Sequence, residues 1–186
     1  AMRHRIPVFM SRGTHVAIGA PDFDGLLQMA HDMVPIDLGT VCAVPFTVPH
    51  DAREPLQLRC TDGASHLGLL TDLGHASPHV LQQLQGCHAL LLEANHDPDM
   101  LAASGYPAFL KRRIAGVHGH LANHDAAGIL AAVRHTGLNR VVAAHLSAQN
   151  NQPRLAQQAL AHSMGWPADA VDIASATAGT DWINVV

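Results

Sequence analysis

His88-Ala89-Leu90-Leu91-Leu92-Glu93 is a short apolar run closed by an acid. Its length and its lack of polar interruption fit a strand buried on both faces. Helical patterns flank it, at residues 78–85 before it and at residues 97–103 and 107–115 after it. The rhythm then continues through a loop at 116–123, a helix at 124–136, a strand at 140–144 and a helix at 153–164. Pro153 suits the first turn of that last helix. Strands alternating with helices of this size predict a parallel sheet segment.

Upstream the pattern is different. Residues 34–38 and 40–48 are apolar and β-branched, and Gly39 separates them. Residues 56–60 and 66–71 flank Asp62-Gly63, a strong hairpin signal. Residues 7–10 read as a short strand, and residues 23–31 as a short helix with Asp22 at its N-cap. Residues 171–174 and 182–185 read as closing strands. Together these elements predict an α/β fold: a mixed sheet with flanking helices, in one unit over residues 1–186. There is no internal repeat and no low-complexity segment.

Composition agrees. Apolar residues make up 48% of the 186-residue chain and charged residues 14%, a globular balance. The formal charge of −4 provides no global attraction for nucleic acid and leaves room only for a local basic patch. Cys42, Cys60 and Cys87 are odd in number and widely spaced, which argues against a disulfide framework and for a reducing cytoplasm. No apolar run approaches the roughly 18 residues of a membrane span.

Five polar residues stand where an apolar strand ends or where a loop opens a helix. His50 follows the strand at 40–48, Asp72 follows 66–71, and Glu93 ends 88–93. His120 lies in the loop Gly116-Val117-His118-Gly119-His120, and His145 follows 140–144. Ligands of α/β sheets gather beyond strand ends. Histidines and a carboxylate converging there suit zinc or manganese. Taken singly, such residues are more often turn formers or helix caps than ligands.

Their joint order carries a resemblance. The motifs Val48-Pro49-His50-Asp51-Ala52, Leu70-Thr71-Asp72-Leu73-Gly74, Leu92-Glu93-Ala94-Asn95-His96-Asp97, Gly119-His120-Leu121-Ala122-Asn123 and Ala144-His145-Leu146-Ser147 follow one another as in metallo-β-lactamase-fold hydrolases. In detail the chain resembles the WalJ/YycJ-like branch, associated with DNA exonuclease activity. Gly105-Tyr106-Pro107 and Leu110-Lys111-Arg112-Arg113-Ile114 are also similar to that branch.

The resemblance implies an αββα sandwich and a dinuclear centre that hydrolyses phosphodiesters of nucleic acid. His50 and His145 would be metal ligands, and Asp72 the carboxylate bridging two ions. His120 would contact the scissile phosphate or protonate the leaving oxygen, and Glu93 would orient such a histidine. Lys111, Arg112 and Arg113 would either touch a phosphate backbone or form a solvated helix face. Paired cations acidify a water and stabilise charge on the attacking and leaving oxygens.

The family signature His-x-His-x-Asp-His occurs nowhere in the 186 residues. The nearest string, His118-Gly119-His120-Leu121-Ala122-Asn123-His124-Asp125, has the wrong spacing. The expectation is therefore an N-terminally incomplete, truncated domain with impaired activity. An exposed sheet edge and apolar surface would favour a homodimer. Two alternatives follow: a metallo-hydrolase of small esters, thioesters or lactams, and a non-catalytic, self-associating domain.

Overall fold

β5 (Leu56–Thr61) and β6 (His66–Leu70) pair antiparallel across the expected turn, with Thr61 opposite His66. The Asp62 carboxylate accepts the N–H groups of Ala64 and Ser65 at 2.9 and 2.7 Å, and Gly63 takes φ +96°. The computed structural model describes residues 1–185. In it the hairpin is the centre of a seven-stranded sheet whose strands lie in chain order.

β3 (Ile36–Asp37), β4 (Cys42–Thr47), β5 and β6 run antiparallel. β7 (Ala89–Glu93), β8 (Arg140–Ala144) and β9 (Asp172–Ile173) continue from β6 in parallel. Parallel neighbours need crossovers, and helices supply them. α2 (Pro78–Leu84) joins β6 to β7. α3 (Pro98–Ala103), α4 (Ala108–Ile114) and α5 (Asn123–Val133) join β7 to β8, and α6 (Pro153–Met164) joins β8 to β9. Two of these helices are capped by the residue before them: Ser77 Oγ accepts the Val80 N–H, and Asp97 Oδ1 accepts the Met100 N–H.

One face of the sheet carries the core. Leu70, Leu90, Leu92 and Val141 meet Val80 and Leu84 of α2, Ile129 and Leu130 of α5, and Leu160 of α6. The pleat sends alternate residues to the other face. There the register aligns Leu58, Leu69, Leu91 and Val142 in one cross-strand row. Leu58, Leu69 and Leu91 are only half-buried. Phe9, Met10 and Thr14 cover one end of this face, and residues 180–185 cover the other. The edge strands β3 and β9 are two residues each, so the expected apolar exposure lies on this open face more than along an edge. Among the described residues, no helix is long and apolar enough to cross a membrane.

Two expected elements are corrected. Residues 23–31 are not helical. Asp24 and Gly25 both take positive φ, +52° and +73°, which breaks a helix at its first turn. The Asp22 carboxylate accepts the Asp24 N–H in a local turn, and β2 (Leu27–Met29) pairs in parallel with β1 (Val8–Met10). The helix of this region is α1 (Arg12–Ala17), where Ser11 Oγ accepts the Thr14 N–H. Residues 182–185 form no strand. The chain reverses through Ser175 and Gly179 and then lies against the open sheet face instead of lengthening its edge.

Candidate metal centre

β6, β7 and β8 are adjacent and parallel, so their C-terminal ends share one rim of the sheet. Asp72 lies two residues past β6, Glu93 is the last residue of β7, and His145 is the first after β8. Asp72 and His145 both adopt left-handed backbone, φ +53° and +57°. For residues with a Cβ this costs about 1–2 kcal/mol each, and such strain gathers at functional positions.

Glu93 is fully buried. Its Oε1 lies 2.8 Å from Nδ1 of His120 and 2.8 Å from Nδ1 of His145. Its Oε2 accepts the N–H groups of Leu73 at 3.1 Å and Leu121 at 3.4 Å. Burial pushes this carboxyl upward. The hydrogen bonds from His120, His145 and Leu73 outweigh that and hold it below the ordinary glutamate value. His145 is displaced the other way: its bond to Glu93 raises it above the ordinary histidine range despite burial.

The nitrogens these bonds leave free matter most. With Nδ1 tied to Glu93, Nε2 of His145 faces Asp72 Oδ1 at 3.6 Å. Nδ1 of His50 donates to the Gly119 carbonyl at 3.1 Å, which sets its tautomer and leaves the Nε2 lone pair open. That nitrogen is 3.9 Å from Asp72 Oδ1 and 3.5 Å from Asp51 Oδ1. The rings of His50 and His145 each stand 5.3 Å from the His120 ring. His50, Asp72, His120 and His145 thus converge on one point, and Glu93 lies beneath them.

These separations suit a cation. Two ligands of a tetrahedral zinc lie about 3.4 Å apart, near the spacings around Asp72 Oδ1. Asp72, Glu93, His120 and His145 each offer one ligand atom within 4.8 Å of the others, and no other such group exists among the described residues. Glu93 has committed both oxygens, and His120 and His145 their Nδ1 atoms, so the uncommitted donors are Asp72 Oδ1, the Nε2 atoms of His145 and His50, and the remaining nitrogen of His120. Imidazole and carboxylate donors fit a borderline divalent metal.

The loop after α4 holds this arrangement together. A Cβ on Gly119 would lie 2.2 Å from the carbonyl oxygens of Arg113 and Ile114, so only glycine permits the approach that aims His120. The alternative histidine string does not converge. His118 lies beside His75, and exposed His124 pairs with Asp125. Of the basic residues in α4, Lys111 donates to the Ala102 carbonyl at 2.6 Å and Arg113 Nε to Asp51 Oδ2 at 2.6 Å.

Four asparagines have positions that the sequence reading did not assign. Asn123 and Asn151 exchange side-chain amide bonds at 3.0 and 2.8 Å, both buried. Asn151 also donates to the Ala94 carbonyl at 2.7 Å, and Asn95 Nδ2 donates to the His145 carbonyl at 2.8 Å. The Asn150 carbonyl accepts the Asp97 N–H at 2.8 Å. These bonds stitch the loops that follow Glu93, His120 and His145. Their sequence signal was their place within or directly after the motifs that carry the family resemblance.

No protein-family model matches the chain. It is 36% identical over 122 residues to exodeoxyribonuclease YycJ of Bacillus anthracis, a match covering 66% of this chain and 46% of that protein. It is 31% identical over 126 residues to exodeoxyribonuclease WalJ of Streptococcus pneumoniae serotype 2, covering 68% and 47%. The chain therefore spans about half the length of the curated relatives it matches. The metallo-β-lactamase fold protein YhfI of Bacillus subtilis superposes with TM-score 0.67 at 13% identity, covering 91% of this chain and 62% of that one. Zn(2+)-bound PqqB of Methylobacterium extorquens superposes with TM-score 0.64 at 13% identity, covering 93% and 64%.

Proposed function

Since this chain is a WalJ/YycJ-like protein of the metallo-β-lactamase fold, we propose that it carries part of a divalent-metal centre for phosphodiester hydrolysis of nucleic acid, DNA first. The observation that carries this reading is the buried Glu93 carboxylate, which holds the Nδ1 atoms of His120 and His145 at 2.8 Å. Carboxylate–imidazole pairs of this kind fix ring orientation and raise ligand basicity in metal sites.

In this reading His50 and His145 would hold zinc or manganese through their Nε2 atoms, and Asp72 would be the carboxylate shared by two such ions. When bound, the metal supplies Lewis acidity toward a phosphoryl oxygen and acidifies a water. The protein's own groups do the rest. Glu93 accepts the Nδ1 proton of His120, and that ring would act as general acid in its doubly protonated form, giving its Nε2 proton to the leaving oxygen and keeping the Nδ1 proton on Glu93. The Gly119 carbonyl holds the proton of His50 away from the ligand nitrogen.

His50, Asp72 and His145 are few ligands for two ions, so the 186-residue form should bind metal weakly and turn over slowly. Free Cys42, Cys60 and Cys87 support a reducing cytoplasmic setting. The test is zinc and manganese binding by calorimetry, with cleavage of single-stranded DNA measured beside small esters, thioesters and a β-lactam. Metal-dependent DNA cleavage abolished by Asp72→Asn is the expected result. Hydrolysis confined to the small substrates would move the assignment to a different metallo-hydrolase.

The half-buried row of Leu58, Leu69 and Leu91 favours a second reading, a non-catalytic domain that self-associates through this face. A stable, metal-free dimer in sedimentation would select it over the first.

A further inference from the structure

Beside His120 lies a small cavity lined by Asp51, Leu110, Arg113, Ile114 and Gly119. Arg113 is in the last turn of α4, its side chain 67% exposed, and its Nε donates to Asp51 Oδ2 at 2.6 Å. A guanidinium carries five N–H donors in one rigid plane. Asp51 uses one edge of it. The terminal amino groups have no protein partner among the described residues. Asp51 directly follows His50, and its other oxygen is 3.5 Å from His50 Nε2, so the plane of Arg113 is held in register with the metal centre.

The charge around this cavity shows what such a plane can do. Asp51, Asp72 and Glu93 are acids, and the imidazoles of His50 and His120 are held by a carbonyl and a carboxylate. Arg113 is the cationic side chain that lines the cavity with His120. Lys111 points away, its ammonium bound to the Ala102 carbonyl at the end of α3. Arginine binds phosphate through two parallel N–H bonds, which a lysine point charge cannot reproduce.

We propose that Arg113, anchored by Asp51, is a substrate-binding residue whose terminal nitrogens bind a phosphate of a single-stranded nucleic acid beside the centre. This rests on the proposed hydrolase reading for its substrate class, but its test is a binding measurement independent of turnover.

The probe is a fluorescent single-stranded DNA oligonucleotide with phosphorothioate linkages, titrated by anisotropy with zinc and again with EDTA. Arg113→Ala should weaken binding about tenfold and reduce the slope of log affinity against log salt by about 0.7, the loss of one phosphate contact. Arg112→Ala removes the same charge one position away and should change affinity less than twofold. Arg113→Lys, which keeps the charge and loses the planar edge, should fall between them and serves alone if the alanine variant does not fold. Equal losses in the Arg112 and Arg113 variants would overturn the proposal, as would no binding by the unsubstituted chain or an unchanged Arg113→Ala. Cleavage of an ordinary oligonucleotide is scored separately. Its absence in the unsubstituted chain counts against the hydrolase reading and leaves the binding comparison to decide Arg113.

Discussion

Asp72 and His145 face each other at 3.6 Å from Oδ1 to Nε2, and both hold left-handed backbone at the ends of parallel strands. A left-handed residue with a Cβ is strained, whereas glycine adopts the same φ freely. Asp72→Gly and Asp72→Ala both remove the carboxylate, but only the glycine relieves the strain. The glycine variant should be the more stable of the two by about 1 kcal/mol in urea titrations with EDTA, while both lose zinc affinity. An alanine variant equal to or more stable than the glycine would remove strain from the account of this turn.

The Glu93 carboxylate accepts from two imidazoles and two backbone N–H groups. Both imidazoles share Oε1 and both N–H groups share Oε2, so Gln, with one acceptor oxygen and a competing NH2 donor, must turn that donor toward either the imidazole pair or the backbone pair. Glu93→Gln should lower metal affinity by about 10- to 100-fold, measured by competition with a chromophoric zinc chelator. Affinity within a factor of two of the unsubstituted protein would show that Glu93 does not orient the ligands.

Protonation gives a signed expectation for the metal-free protein. His145 is raised above 6.5, mainly by its bond to Glu93, so the folded state binds its proton more tightly than the unfolded state does. Its contribution is therefore complete below pH 6.5 and fades as pH rises through the folded value. Glu93 is lowered below 4.5, so its contribution is present above that pH and is lost as pH falls through the folded value. The stability difference between the unsubstituted protein and His145→Gln, from urea melts in EDTA, should shrink between pH 6 and pH 9. Growth of the difference over that interval would reverse the assigned direction.

The Asn123–Asn151 exchange is buried, and Asn151 also satisfies the Ala94 carbonyl and the Gln152 N–H. Asn151→Ala leaves these groups unpaired at about 1–3 kcal/mol for each one that stays buried without a partner. Asn123→Ala should cost less because its amide contacts are fewer. The double variant should cost less than the two singles added, since each single already breaks the shared pair. Strict additivity in a double-mutant cycle would mean that the two amides do not act together.

The open sheet face and the corrected N-terminal region mark where local reading stopped. Residues 23–31 carry an N-cap signal at Asp22, and a local rule assigns a helix. Leu27–Met29 instead finds its partner in Val8–Met10, far back in the chain. The helix at Arg12–Ala17 was missed because Gly13, Thr14 and Val16 are weak helix formers.

Most strands, the Asp62-Gly63 hairpin and the four longest helical segments followed from the sequence alone, because their determinants are periods and turns within a few residues. The same reading put Asp72, Glu93 and His145 on one rim, since parallel strands end on the same side of a sheet. What only the tertiary structure decided is which nitrogen of each histidine is left free, that Asp51 holds Arg113 beside His120, and that four asparagines join three loops. Those are distances between residues about 25 to 70 positions apart, set by the packing of loops over the sheet, and no local pattern encodes them.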